Sequence, residues 1–232
     1  MQAPYLIGQI KPLTTAEFQQ ITATVTFPLP VSYRDFLYTY GLGAFNELLM
    51  IHQPDEAYIR SNFGEYMDLW ELPESEEPVV LNGLTIATTI DGDIIAAIDN
   101  TQYPFIILPR HSDKILRFGT FEEVIDYYDH TYHFSGDLYF DSYYNYEQEN
   151  ITFVNGPAID KAGFEKVYRD FLANIPTDKV YNEDKQPKYI IQEMGGWVYF
   201  DNIYKSSVRI KYQSQYRPVA DKIIQFFRDR MA

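Results

Sequence analysis

Two groups of ionisable side chains in this chain could do chemistry. Asp91-Gly92-Asp93 sets two carboxylates either side of a glycine, the D-x-D form with which some glycosyltransferases hold a divalent metal and a sugar nucleotide. The same residues have a plainer reading, because Asp-Gly between two β-rich apolar runs favours a tight hairpin turn and no phosphate-cradling glycine loop accompanies it. His130 and His133, with Asp129 and Asp137 nearby, are ligand types for zinc or manganese at the spacing of one helical turn. No further ligand cluster is spaced to complete that site, and the segment reads as polar linker rather than regular helix. His111 after Arg110 reads as a strand end. The chain has no cysteine, no Gly-x-Ser-x-Gly elbow and no His-Glu-x-x-His. The expectation is a protein with no catalytic residue, metal or cofactor.

Other residue types suit recognition better than catalysis. From Tyr127 to Tyr146 tyrosines alternate with aspartate, asparagine and serine, and Asp129, Tyr139, Tyr143 and Tyr144 could form a contact surface, since tyrosine offers large area at low entropic cost. An ordered linker whose rings pack between two domains would look the same. Trp70 with Glu74, Glu76 and Glu77 makes a second acidic, aromatic segment bounded by prolines. These residues, together with Asp91 and Asp93, are the candidate partner-binding set. Near the C-terminus Arg209 and Lys211 alternate with Val208, Ile210 and Tyr212, so one strand face is apolar and the other basic; that face could hold phosphate, dock on acidic protein or lie in solvent.

The elements that must position these residues are marked by periodicity and punctuation. Thr14-Thr15-Ala16-Glu17 opens a short helix. Pro30 suits the first turn of a second helix that carries Tyr33, Phe36, Leu37 and Tyr40 on one face, Gly41 stands where a helix ends in a left-handed residue, and Gly43 lets the chain turn sharply towards the strand Leu48 to His52. A helix over Asp55 to Phe63 and a loop over Trp70 to Pro78 follow. Strands are expected over Leu84 to Ile90, Ile94 to Ile98, Phe105 to Leu108 and Ile115 to Phe118, then a helix over Phe121 to Tyr128 capped by Thr120. Beyond a linker, a helix from Asp160 to Asn174, strands over Tyr189 to Glu193, Trp197 to Asp201 and Ser207 to Gln213, and a helix from Pro218 make an α-β-β-β-α module. The expected organisation is α+β, with a domain over residues 1–135, a linker over 136–150 and a small module over 151–232.

The first part of the chain resembles the SUKH superfamily, which includes Smi/Knr-type fungal regulators of cell-wall synthesis and many bacterial toxin-immunity proteins. Four segments carry the resemblance over about residues 1–130: Leu29-Pro30-Val31-Ser32-Tyr33-Arg34-Asp35-Phe36-Leu37-Tyr38-Thr39-Tyr40-Gly41-Leu42-Gly43, then Thr88 to Ile95 around the Gly-Asp pair, Ile107-Leu108-Pro109-Arg110-His111, and Phe118 to Ile125. It implies a SUKH-like sheet flanked by helices, with Pro30, Tyr33, Phe36, Gly41 and Gly43 as structural positions. For function it implies a bacterial immunity protein that binds and masks a cognate toxin, often a nuclease, without chemistry of its own. A cell-wall-type regulatory scaffold is the alternative from the same family, and a metal-dependent sugar or nucleotide transferase using Asp91 and Asp93 is the alternative from another class.

Charge narrows the partner. The net charge is −14, and residues 1–150 carry 6 Lys/Arg against 23 Asp/Glu. Such a field repels nucleic acid and anionic lipid and speeds encounter with a basic protein, although acidity for solubility alone is the other reading. No apolar run spans a bilayer and the N-terminus has no signal-peptide pattern, so a cytoplasmic address is expected.

Overall fold

The computed structural model describes residues 3–23, 25–134, 138–183 and 185–231. It is α+β and divides into two compact units, Met1–Leu6 with Ile10–Tyr143, and Ile7–Gln9 with Tyr144–Ala232.

The first unit is built on a sheet of eight strands: β1 (Tyr5–Ile7), β2 (Gly43–Phe45), β3 (Leu49–Asp55), β4 (Leu84–Thr89), β5 (Ile94–Ala97), β6 (Phe105–Leu108), β7 (Leu116–Phe118) and β8 (Tyr139–Ser142), in the spatial order β1-β8-β2-β3-β4-β5-β6-β7, with each neighbouring pair from β8 to β7 antiparallel. Its helices are α1 (Thr15–Thr22), α2 (Val31–Thr39), α3 (Tyr58–Phe63), α4 (Glu77–Leu81) and α5 (Phe121–Tyr132). Every residue of β5 and β6 is buried, and successive residues belong to different cores. Ile95, Ala97, Phe105 and Ile107 pack with Tyr33, Phe36 and Leu37 of α2 and Phe121, Val124 and Ile125 of α5. Ile94, Ala96, Ile106 and Leu108 pack instead with Ile59 of α3, Met67, Trp70 and Val80 of α4. The continuous apolar runs at these strands thus follow from burial on both faces.

Local chemistry accounts for the helix ends. Thr14 and Glu17 form a capping box on α1, and Thr120 and Glu123 form another on α5. Pro30 stands one residue outside α2, as its N-cap. The Ser32 hydroxyl accepts the Phe121 amide at 3.0 Å, joining the starts of α2 and α5. Phe36 lies at the centre of the ring cluster, with Phe121 edge-on at 5.1 Å and Phe140 at 5.9 Å. Gly41 takes the expected left-handed conformation, φ +77°, and a Cβ there would fall 1.9 Å from the Lys11 carbonyl oxygen. Gly43 corrects an expectation: it makes no sharp turn but opens β2, where a Cβ would lie 2.4 Å from the Phe140 ring, so it is needed for close approach of β8. Asp55 belongs to a strand rather than a helix; its carboxylate accepts the Ala57 and Tyr58 amides and so starts α3.

The segment expected as a linker is strand on both sides of the unit boundary. Tyr139–Ser142 is β8 in the first sheet, and Tyr146–Thr152 is β9, paired along its whole length with β15 (Ser207–Gln213). The second unit adds a small hairpin, β10 (Val154–Asn155) with β11 (Ala158–Ile159), and a sheet in the order β12-β13-β14-β15-β9, where β12 is Lys179–Tyr181, β13 Lys188–Ile191 and β14 Gly196–Phe200. The sheet therefore has five strands where three were expected. Helices α6 (Lys161–Asn174) and α7 (Arg217–Met231) cover one face, burying Phe164, Phe171, Ile223 and Phe227 against Val198, Phe200, Val208 and Ile210. On the other face cations lie over rings. Lys211 is buried with its ammonium 4.5 Å from the Tyr146 ring centre, and the Arg209 guanidinium is 4.3 Å from that of Tyr199, so neither is an uncommitted surface charge. The Gln213 side chain accepts the Gln9 amide and donates to the Gln9 carbonyl, which places Gln9 in this unit despite its position near the start of the chain.

Gly41→Ala should lower unfolding free energy by about 1–3 kcal/mol, since both the backbone angle and the space are wrong for a side chain. Urea denaturation with an unchanged midpoint would remove this reading of the helix stop.

Candidate partner-binding surface

The Asp-Gly-Asp segment is the β4–β5 turn. The Gly92 amide donates to the Thr89 carbonyl and the Thr89 amide to the Asp93 carbonyl, each at 3.0 Å, so the connection is wider than the two-residue turn expected. Both carboxylates are committed within the chain. Asp93 accepts the Arg110 amide at 2.9 Å through one oxygen and the Tyr128 hydroxyl at 3.0 Å through the other. Asp91 accepts the Tyr132 hydroxyl. Burial, reinforced by these carboxylates, pushes both phenols well above the usual tyrosine range and keeps them protonated donors. The turn is thereby fastened to α5 and to the β6–β7 loop.

That fastening depends on α5 running on to Tyr132, past the expected end at Tyr128. His130 is consequently helical, its Nδ1 at 2.6 Å from the Asp126 carbonyl oxygen, and His133 is the left-handed C-cap, φ +54°. Asp129 is half-buried, and one of its carboxylate oxygens has no partner among the described residues. Asp137 lies outside those residues. Among the described residues no group of three or more His, Asp or Glu side chains is placed to hold a metal ion.

Trp70 is buried, correcting its place among exposed contact residues. Its indole donates to the Pro109 carbonyl at 3.0 Å and its ring packs on Phe63, while the Glu71 amide donates to the Asp113 carbonyl at 2.7 Å. These bonds draw residues 63–71 onto the β6–β7 loop and leave a groove of about 750 Å³, with Leu69, Arg110 and His111 among its walls. Leu69 on its wall is 53% exposed and Tyr66, three residues earlier, 56%, while Ile90, in the β4–β5 turn, is 71% exposed and is not among its lining residues. Asp68, Glu71, Asp91 and Asp113 are exposed among them, with Arg110 and His111 as the basic members. Exposed apolar side chains and charged groups thus occur together on the segments that these hydrogen bonds hold.

The remaining expected contact residues scatter. Glu74 is exposed, Glu76 is ion-paired with Arg117, and Glu77 is half-buried in the first turn of α4. Tyr139 is buried in β8, because β8 is a central strand between β1 and β2. Tyr143 and Tyr144 are half-buried on either side of the unit boundary. Sequence reasoning missed Tyr66, Leu69 and Ile90. Ile90 alone carried a signal, an apolar residue directly before a turn, where no core face is left for it.

No family model matches the chain, and neither curated proteins nor solved structures show a match. Among the described residues no helix is long and apolar enough to cross a membrane.

Asp93→Ala should cost about 1–3 kcal/mol, because it strands the buried Tyr128 hydroxyl, whereas Asp91→Ala, whose partner Tyr132 is exposed, should cost less than about 1 kcal/mol. Equal urea midpoints for the two variants would show that the turn is not held in this way.

Proposed function

We propose that this chain is a non-enzymatic binding protein of SUKH type, an immunity protein that masks a cognate, basic toxin in the cytoplasm. The observation that carries the reading is Ile90, exposed on the β4–β5 turn whose two carboxylates are already committed to holding it against Tyr128 and Tyr132. A rigid apolar patch with a charged rim binds by excluding water from its centre and needs no catalytic group. The first unit supports a basic partner, since it carries 6 Lys/Arg against 21 Asp/Glu, net −15. Its field would repel nucleic acid. The transferase alternative is disfavoured because both Asp91 and Asp93 accept phenol hydrogen bonds and point to different tyrosines.

Masking and catalysis differ in stoichiometry. Titrating the chain into the partner toxin should abolish its activity at one equivalent, with an on-rate falling roughly tenfold between low and high salt and an off-rate nearly independent of it. Ile90→Asp should weaken the complex by about ten- to a hundredfold without unfolding the chain, because the Ile90 side chain is mostly exposed. Inhibition by far less than one equivalent would indicate turnover and overturn the proposal.

A further inference from the structure

The opposite end of the first sheet carries a separate open trough. It lies where the β5–β6 loop, residues 98–104, meets α2 and α4, and its two halves, about 630 and 380 Å³, share Phe27 and Asp99. Phe27, Pro28 and Pro104 form an apolar floor, and Val31 and Val79, 60% and 37% exposed, stand on the walls. Asp35, Asp99 and Glu122 supply the charge, and no Lys, Arg or His is among the lining residues. Two arginines stand close by and are engaged, Arg34 with Asp35 at 3.1 Å and Arg60 with the Asn82 side chain. The carboxylates of Asp99 and Glu122 have no hydrogen-bond or ion-pair partner among the described residues.

The trough is preformed. The Asn100 side chain accepts the Gln102 and Tyr103 amides, each at 2.9 Å, and the Ile98 amide donates to the Pro104 carbonyl at 3.0 Å, so the loop is held by its own hydrogen bonds. Its lining carries the carboxylates of Asp35, Asp99 and Glu122 and no cationic side chain, beside neutral Ser, Thr and Asn groups that can donate or accept. An occupant must therefore bring positive charge, and apolar side chains to cover the floor.

We propose that this trough docks an extended segment of a partner protein in which lysine or arginine alternates with aliphatic residues. The aliphatic side chains cover Phe27, Val31 and Val79, and the cations meet Asp99 and Glu122. A polyamine would satisfy the charge but leave the floor and both valines wet, which is why a peptide is the better occupant. The inference rests on the reading of this chain as a binding protein. The trough, however, is at the far end of β5 from Ile90, so the two surfaces fail separately.

The test uses the full ¹⁵N-labelled chain and a short acetylated peptide alternating Leu with Lys, beside its Leu-Glu counterpart and spermine. The Leu-Lys peptide should shift the amides of Phe27, Ile98, Asp99 and Thr101, and the Leu-Glu peptide should not. Asp99→Lys with Glu122→Lys should weaken binding at least about tenfold. Val31→Ser, which leaves the charge alone, should weaken it severalfold, and Ile90→Asp should leave it unchanged. Shifts spread evenly over the acidic surface, undiminished affinity in the charge-reversed chain, equal binding of spermine at the same residues, or no shift at all would each overturn the proposal. Loss of the toxin complex in Ile90→Asp with peptide binding intact would place the two surfaces apart; intact toxin binding with no peptide binding would sink the trough alone.

Discussion

Burial of β5 and β6 on both faces is the constraint from which the first unit follows. Strands with no polar face cannot lie at a surface, so the chain must supply cover twice. Helices α2 and α5 provide one layer. The other comes from the segment between β3 and β4, which has only short helices and packs across β5 and β6 to seal them. That crossing puts Met67 and Trp70 into the core, and Leu69, between them in a tight helical turn, is left facing water. The exposure of Leu69 is thus a by-product of how the second face is closed.

A carboxylate then makes the surface rigid. Asp93 joins the β4–β5 turn to a backbone amide of the β6–β7 loop and to a buried tyrosine of α5, three elements far apart in sequence. A buried phenol needs an acceptor and a turn needs an anchor, and one side chain meets both demands. The same commitment gives both carboxylates of the D-x-D motif a structural role. Its negative charge still adds to the field of an acidic unit, so one group contributes to fold and to encounter.

Much of this was legible in the sequence. The capping boxes at Thr14 and Thr120, the left-handed Gly41, the helical spacing of Tyr33, Phe36 and Leu37, and the strands around Asp91-Gly92 all follow from local chemistry. What escaped was set by distant partners. β9 reads Tyr-Glu-Gln-Glu-Asn-Ile-Thr, buries only Ile151, and is a strand because β15 offers it an edge. Tyr139 looked like part of a contact surface because nothing local shows that its strand returns between β1 and β2. Trp70 resembled an exposed anchor amid glutamates, and only the Pro109 carbonyl and Phe63 reveal it as core. Exposure of Leu69 and Ile90 is likewise decided by what covers the sheet, which periodicity does not record.

The central claim, that the β4–β5 turn end is the face that meets a partner protein, is tested most directly by site-specific photo-crosslinking in the purified complex. A photoreactive phenylalanine analogue at position 90 should give a discrete covalent adduct with the partner, while the same analogue at position 172, an exposed position on α6 of the other unit, should give none. An adduct from position 172 but not from position 90 would contradict the account.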